Sequence, residues 1–527
     1  MALSLSPIIA SRFVPTRLPK VCLALSGDTV EDMLESAEAM AQENPFLEFR
    51  LDYLKQPLAA LGKIRSFLET HHYVTAIGTC RRAVNGGKFK GSLAAQLDVL
   101  GKANAAGCQI VDLEIQSAVK AKRESISRLR NRGRLLLSFH DFRATRKLDE
   151  TLEQMLEVPA DLYKIVTTAT TLSDNVRMMK FLQSHSDKHA LVGFCMGEQG
   201  IISRVLSVRS GSVFTFGSVS TDLQTAPGQV TARDLRAIYR IEQVDPATRV
   251  YGVAGDPVEQ SLSPVIMNAA MRRENVNSVY LPLHAKTLKD LLFCIREIPL
   301  HGVSVTMPYK QAIVEHLDNT DAHTTKTGAC NTVVRGQDGK LYGFNTDVAG
   351  IIRPLEQRLS IDKAKVLILG AGGAARAAAF GLKERGAEVW ILNRTAAKAQ
   401  KLARQAKAHS IKRADLRKIT FDVVINATPV GMGNTRDCPL KDEEIQARVV
   451  FDMVYDPVET HLLRVAWAKG LSVIPGVEMF VHQAARQFEI WTGKPAPATD
   501  MLRAVTTALQ ERAAAAKQQK SSSSTAH

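Results

Sequence analysis

Two lysines stand at positions where their chemistry needs an explanation. Lys164 lies inside the apolar run DLYKIV, and Lys310 closes the loop TMPYK after another apolar run. A lysine within a strand cannot rest in a core as a free cation. Burial and neighbouring cations favour the neutral amine, which forms a Schiff base with a ketone. A salt-bridged lysine, or one snorkelling at the strand end, reads the same. His140 ends the run LLLSFH and supplies a general base and acid. Arg204, Thr225 and Gln229 offer a clamp for a carboxylate or hydroxyls, and Glu48, Arg50 and Arg81 sit on or after two further apolar runs. Such a set describes proton abstraction next to an iminium, followed by loss of a leaving group.

Lys310 pairs naturally with Asp347, since each falls in a short polar loop after an apolar strand. Ammonium beside carboxylate can relay a proton to an alkoxide as a carbonyl is reduced. A structural ion pair between loops is the plainer alternative. Ser261, Ser263, Thr306 and Asn331 supply neutral hydrogen bonds suited to ring hydroxyls and a carboxylate, and Gln483 lies on a helix that can return to the same cleft. Phe480, Ala484 and Phe488 on that helix form an apolar face.

A reductive site needs a hydride source, and KVLILGAGGAARAAAFGLKERGAEVWILNRT (365–395) is organised to hold one. An apolar strand breaks into Gly370, Ala371, Gly372 and Gly373, then enters a helix through Ala374 and Ala375. Small residues let the backbone approach a pyrophosphate at a helix N-terminus, although a tight packing turn would look similar. The second strand ends on Asn393, Arg394 and Thr395, where an NAD site would carry Asp or Glu. Arg394 can pair with a 2′-phosphate, so NADP(H) is expected; a solvated arginine is the alternative.

The elements that position these residues fall into two halves. Strand candidates lie near Val21–Leu25, Phe46–Leu51, Tyr73–Thr79, Ile110–Leu113, Leu135–Phe139, Leu162–Val166, Leu191–Phe194 and Val213–Phe216, with helical segments between them. Eight strand–helix repeats over 21–240 suggest a (β/α)8 barrel, with the polar residues at the strand ends where a barrel builds its site. A smaller α/β domain spans 250–355, a Rossmann-like nucleotide domain 362–490, and a last helix at 495–515 packs back on the smaller domain. Residues 1–20 read as a disordered leader and 516–527 as a disordered tail.

The chain has 527 residues, a formal charge of +15 and 45% hydrophobic content. Two or three soluble domains follow. No apolar run is long enough to span a membrane. The positive charge favours anionic ligands, and no nucleic-acid-binding pattern accompanies it. Seven scattered cysteines without CxxC suggest reduced thiols. A cytoplasmic location is expected, or the plastid if the source is a plant. No metal or prosthetic group is called for.

The segments EFRLD, TCR, SFHDF, the Lys164 strand, ISRV and TAPGQ resemble type I 3-dehydroquinate dehydratase. That resemblance implies conversion of 3-dehydroquinate to 3-dehydroshikimate through an imine on Lys164. It implies protons moved by His140, with Glu48, Arg50, Arg81, Arg204, Thr225 and Gln229 on the substrate. One position departs. The family usually has glutamate before the two glycines of this loop, orienting the histidine, and here RRAVNGG places Asn85 there.

SLSP, VTMPYK, GACNT, GFNTD, GAGGAARA, NRT, NATPVGM and PGVEMFVHQA resemble shikimate dehydrogenase. This implies NADPH-dependent reduction of 3-dehydroshikimate to shikimate, with Lys310 and Asp347 as catalytic pair. Ser261, Ser263, Thr306, Asn331 and Gln483 would hold substrate, and Gly370 to Ala375 with Asn393, Arg394 and Thr395 the nucleotide. Met267 replaces the family's usual histidine, with a packing role expected. Quinate-active relatives often carry small residues where Ser263 or Thr346 stands, so shikimate is favoured. The order is that of a fused dehydratase–dehydrogenase. Two rivals are a dehydrogenase whose front half is impaired, for which Asn85 argues, and a non-enzymatic metabolite sensor. The sequence leaves the oligomeric state open, a monomer included.

Overall fold

The computed structural model describes residues 18–524 except 221, 223, 227, 259, 260, 299, 434 and 435, with backbone only from 515 onward. Contacts divide it into two compact units: Met1–Thr248 with Leu281–Ile298, and Arg249–Tyr280 with Pro299–His527.

The first unit is built on β1 (Val21–Leu25), β2 (Phe46–Arg50), β3 (Thr75–Thr79), β4 (Ile110–Glu114), β5 (Arg134–His140), β6 (Leu162–Thr168), β7 (Leu191–Met196) and β8 (Thr215–Ser218). All neighbours pair in parallel, in the order β7-β6-β5-β4-β3-β2-β1-β8. Between β7 and β8 the Val213 N–H donates to Leu191 O at 2.8 Å, nearly closing the barrel.

Side chains alternate across a strand, so residues two apart share a face. Phe46, Ile77, Ile110, Leu136 and Leu162 pack together in one apolar cluster with Phe214 and Phe216. Two residues further along the same strands come Glu48, Thr79, Asp112, Ser138 and Lys164, all buried. Two more bring Arg50, Arg81, Glu114, His140 and Val166 to the C-terminal ends. The polar residues therefore sit over an apolar floor.

After Thr248 the chain forms two six-stranded sheets. The first takes β9 (Arg249–Gly255), β10 (Ser278–His284), β11 (Leu300–Val305), β12 (Asn319–Thr320), β13 (Thr332–Arg335) and β14 (Leu341–Phe344), ordered β10-β9-β11-β13-β14-β12. It is mixed, because β13 runs antiparallel to both β11 and β14. The second contains β15 (Lys365–Leu369), β16 (Glu388–Leu392), β17 (His409–Ser410), β18 (Val423–Asn426), β19 (Val449–Asp452) and β20 (Ser472–Ile474). These are all parallel, ordered β17-β16-β15-β18-β19-β20, so the connections reverse between β15 and β18. A doubly wound sheet binds its ligand at that reversal. Gly370, directly after β15, has φ +114°, and a Cβ there would lie 2.9 Å from Ala427 O after β18. Glycine is thus required on both conformational and steric grounds.

The last helix, Ala498–Ser524, packs Met501, Val505 and Leu509 against Met267 and Met271 of helix Ser263–Arg273. Met267 is fully buried in this apolar cluster. The helix continues over 516–524, where a structureless tail was expected, because AAAAKQQK has high intrinsic helix propensity. The expected leader falls on residues 1–17, outside the described residues, apart from 18–20, where Leu18 is buried. No helix among the described residues is long and apolar enough to cross a membrane.

Candidate active sites

Lys164 is 3% exposed. Its Nζ donates to Asp112 Oδ2, lies 3.9 Å from Glu48 Oε1, and sits 4.6 Å from the Phe216 ring centroid. Asp112 also accepts from Ser138 Oγ at 2.5 Å and faces Arg81 at 3.6 Å. Burial opposes its charge, but Lys164, Arg81 and Ser138 together hold its carboxyl below the usual range. The sequence expectation placed cations around Lys164. Its direct partners are carboxylates, since a buried ammonium must be compensated.

His140 has no hydrogen bond to its ring among the described residues and stacks on Phe142, with 5.9 Å between centroids. Burial, then Arg81, Lys164 and Arg50, push its pKa well below 6.5, so the neutral imidazole dominates at neutral pH. Arg204 is buried at 1% exposure with one donor on Phe216 O at 3.2 Å, while its Nε and second terminal nitrogen find no partner among the described residues. Its guanidinium lies 4.6 Å from the centroid of Phe194, and burial lowers its pKa to about 10. These free donors suit an anionic ligand. Gln229 Oε1 accepts from Thr225 N–H at 2.8 Å and Oγ1 at 3.1 Å, tying the loop after β8. Glu48 accepts from Thr79 Oγ1 at 2.7 Å. Arg50 is instead committed to Asp52 through two bonds of 2.9 and 2.8 Å.

Asn85 turns to Glu114, donating at 2.8 Å to Oε1 and at 3.3 Å to Ser117 Oγ. It makes no hydrogen bond to His140. Glu114 also accepts from Gln96 Nε2 at 2.8 Å and the Arg82 N–H at 3.3 Å, anchoring the loop after β3.

In the second unit, Lys310 Nζ donates to Asp347 Oδ2 at 2.5 Å. Asn331 Nδ2 donates to Asp347 Oδ1 at 2.8 Å and Thr346 Oγ1 at 3.0 Å, while its Oδ1 accepts from Thr346 N–H at 2.8 Å and Thr332 Oγ1 at 2.8 Å. The carboxylate is thus held from two sides. Ser261 Oγ accepts from the Ser263 N–H at 3.3 Å, and Thr306 packs its methyl against Gly255. Gln483 Nε2 folds back on Phe480 O at 2.9 Å, with its Cβ against Gly350.

Lys310 also borders the glycine-rich turn: a Cβ at Gly373 would lie 3.6 Å from its Cδ. Helix Gly373–Glu384 starts without a side-chain cap, and nothing lies within 4 Å of a Cβ built on Gly372. Uncapped N–H groups facing open space fit a pyrophosphate. Arg394 and Thr395 are exposed at the end of β16, and Asn393 Nδ2 donates to Thr395 O at 3.0 Å.

Sequence reasoning passed over Asp112, Glu114 and Ser138, although IVDLE and LLLSFH carry the same polar alternation that singled out Glu48 and Arg50. It also passed over Gln487, four residues after Gln483 and hence on the same helical face.

Family models match in series: type I 3-dehydroquinase over residues 21–246, the shikimate dehydrogenase substrate binding domain over 253–333, shikimate/quinate 5-dehydrogenase over 354–435, and the shikimate 5′-dehydrogenase C-terminal domain over 476–506. The shikimate dehydrogenase (NADP(+)) of Pyrococcus furiosus is 39% identical over 267 residues, covering 50% of this chain and 98% of its own. Among solved structures, shikimate 5-dehydrogenase from Thermus thermophilus, in complex with NADP(H) and shikimate, aligns at 34% identity and TM-score 0.47 over 50% of this chain and 100% of its own. The chloroplastic bifunctional 3-dehydroquinate dehydratase/shikimate dehydrogenase of Arabidopsis thaliana is 33% identical over 501 residues, 90% of this chain and 82% of that protein. With both halves matched in one polypeptide, the chain belongs to the family of bifunctional 3-dehydroquinate dehydratase/shikimate dehydrogenases.

Proposed function

We propose that the chain catalyses consecutive steps of the shikimate pathway: dehydration of 3-dehydroquinate to 3-dehydroshikimate in the barrel, then NADPH-dependent reduction to shikimate in the second unit. The observation that carries this reading is the presence of two separate lysine–carboxylate centres, Lys164–Asp112 and Lys310–Asp347, in one chain.

In the barrel, Lys164 attacks the substrate ketone and forms an imine with loss of water. Asp112, in contact with Nζ, is placed to take the ammonium proton first. Neutral His140 removes the proton next to the iminium and returns it to the departing hydroxyl. Arg204 receives the substrate carboxylate on its unpartnered donors, while Glu48, Arg50, Arg81, Thr225 and Gln229 border the ring. Hydrolysis of the imine frees Lys164.

In the second unit, Ser261, Ser263, Thr306, Asn331 and Gln483 hold 3-dehydroshikimate. Lys310 donates a proton to the oxygen of the carbonyl under reduction, and Asp347 keeps that ammonium oriented. Gly370, Ala371, Gly372, Gly373, Ala374 and Ala375 would hold the NADP pyrophosphate, with Asn393, Arg394 and Thr395 on the 2′-phosphate. The bound nucleotide supplies the hydride. Shikimate rather than quinate is the expected product, and a cytoplasmic or plastid location completes the assignment.

A coupled assay tests the whole. Purified protein receives NADPH with either 3-dehydroquinate or 3-dehydroshikimate, and loss of nicotinamide absorbance is followed. Oxidation from both establishes both activities. Oxidation only from 3-dehydroshikimate favours a second reading, an impaired front half, for which the engagement of Asn85 with Glu114 instead of His140 speaks.

A further inference from the structure

Helix Gly476–Thr492 meets the mixed sheet through residues one turn apart. At one end Gln483 faces helix Asp347–Glu356 rather than the sheet, its Cβ 3.0 Å from where a Cβ on Gly350 would stand. At the other, Trp491 Nε1 donates to Val333 O at 3.1 Å, and its indole occupies the space a Cβ on Gly302 would need. Between them lies Gln487, 2% exposed and fully hydrogen-bonded. Its Oε1 accepts from Ser304 Oγ at 2.8 Å, and its Nε2 donates to Asn331 O at 3.1 Å and Thr332 Oγ1 at 3.0 Å.

Each partner leads to the substrate side of the cleft. Thr332 Oγ1 donates onward to Asn331 Oδ1, and Asn331 holds Asp347 and Thr346. Ser304 Oγ accepts from Tyr280 OH at 2.6 Å, and the same phenol is hydrogen-bonded with Ser263. An amide cannot pass a proton along this chain, because its nitrogen only donates and its oxygen only accepts. The Thr332 hydroxyl takes a hydrogen from Gln487 and gives its own to Asn331 Oδ1, which also accepts from the Thr346 N–H, so the Asn331 amide presents Nδ2 to Asp347.

Resting on the dehydrogenase reading above, we infer that Gln487 is a positioning residue for the reduction: it holds the Asn331 main chain and the Thr332 hydroxyl, and through them the Asn331 amide on the Asp347 carboxylate, in register with Gln483 one turn earlier on the same helix.

The test uses the full chain and two variants, Gln487→Met and Gln487→Glu. Shikimate oxidation is measured with NADP+ across pH, alongside thermal unfolding and the KM for NADP+. Methionine fills the volume without hydrogen bonds; glutamate keeps the acceptor for Ser304 but cannot donate to Asn331 O and Thr332. Both variants are expected to lose about tenfold or more in kcat and to raise the shikimate KM, as misplacement of a reacting pair does. The kcat–pH profile should move while the KM for NADP+ stays within about twofold, a split that a general loss of folding would not give. Glutamate adds a buried charge and methionine does not, so the methionine result stands even where glutamate unfolds the protein. A folded variant with wild-type kcat, shikimate KM and pH profile overturns the inference. A wild-type chain that does not oxidise shikimate overturns the proposed activity, and this inference with it.

Discussion

Replacing Asn85 by glutamate probes the front half at one side chain. Asn85 Nδ2 lies 2.8 Å from Glu114 Oε1, on a buried carboxylate that already takes Gln96, Ser117 and the Arg82 N–H. A second carboxylate in that place would meet Glu114 at about 4 Å, a repulsion of about 4 kcal/mol at an effective dielectric of about 20. A hydrogen bond to a charged group, worth about 1.5–3 kcal/mol, is lost as well. The new side chain is therefore driven away from Glu114. The neighbouring Gly86 abuts Phe142, since a Cβ there would lie 2.4 Å from the ring, and Phe142 stacks on His140. The substitution tests whether the displaced carboxylate turns to the imidazole.

A carboxylate beside His140 opposes the burial and the Arg81, Lys164 and Arg50 charges that hold its pKa well below 6.5. In the wild type the folded state binds fewer protons at His140 than the unfolded chain, so this group's contribution to stability rises with pH through the window below 6.5 and is complete above it. Raising the folded pKa narrows that window. The same shift moves the acid limb of dehydratase kcat/KM upward, by one unit for each about 1.4 kcal/mol of added attraction. The assay follows formation of the conjugated enone of 3-dehydroshikimate between pH 4 and 9, with thermal midpoints over the same range. An unchanged pH profile in a folded Asn85→Glu protein would refute the reasoning.

Three further substitutions address the remaining roles. Lys164→Met should abolish borohydride trapping of 3-dehydroquinate on the chain, read as a missing mass adduct. It should also destabilise the barrel by about 3–5 kcal/mol in denaturant titration, because Asp112 and Glu48 lose their buried cation; a trapped adduct in the variant would exclude Lys164 as the imine residue. Asp347→Asn should lower kcat for shikimate oxidation about 10²- to 10⁴-fold and leave dehydratase turnover unchanged, and a smaller loss would reduce the Lys310 pair to a structural contact. Arg394→Ala should raise the KM for NADPH about 10- to 100-fold, the value of a charge-assisted bond, with little effect on NADH; equal effects on both would remove Arg394 from the 2′-phosphate.

The architecture was legible because it repeats. Apolar runs alternating with helices gave the barrel, and the alternation within each strand already grouped Lys164 with Leu162 below and Val166 above. The Gly370 turn and the Asn393-Arg394-Thr395 end were readable because a single βαβ unit holds both in local sequence. Partnerships across the barrel were not readable. Asp112 is 52 residues from Lys164, and only the closing sheet brings their carboxylate and ammonium into contact. The partner of Asn85 was likewise unreadable, because Glu114 lies 29 residues away.

This distinction matters most at Lys164. From sequence, the strand lysine read equally as a neutral amine ready to attack and as a salt-bridged or snorkelling one. The structure surrounds the amine with Asp112 and Glu48 and places Arg81 beyond Asp112. Nucleophilic attack requires an amine with no third proton on Nζ. Asp112 is the group in contact, but Ser138 and Arg81 favour its charged form, so it accepts that proton only when the local balance changes. A substrate carboxylate docking on the unpartnered donors of Arg204 would neutralise that cation and alter the balance of charge in the buried site. If that change reaches Lys164, Arg204 acts on the rate of imine formation as well as on affinity. Its loss should therefore lower the rate of imine trapping even at saturating 3-dehydroquinate, and an Arg204→Ala protein that is trapped at the wild-type rate once saturated would limit Arg204 to binding.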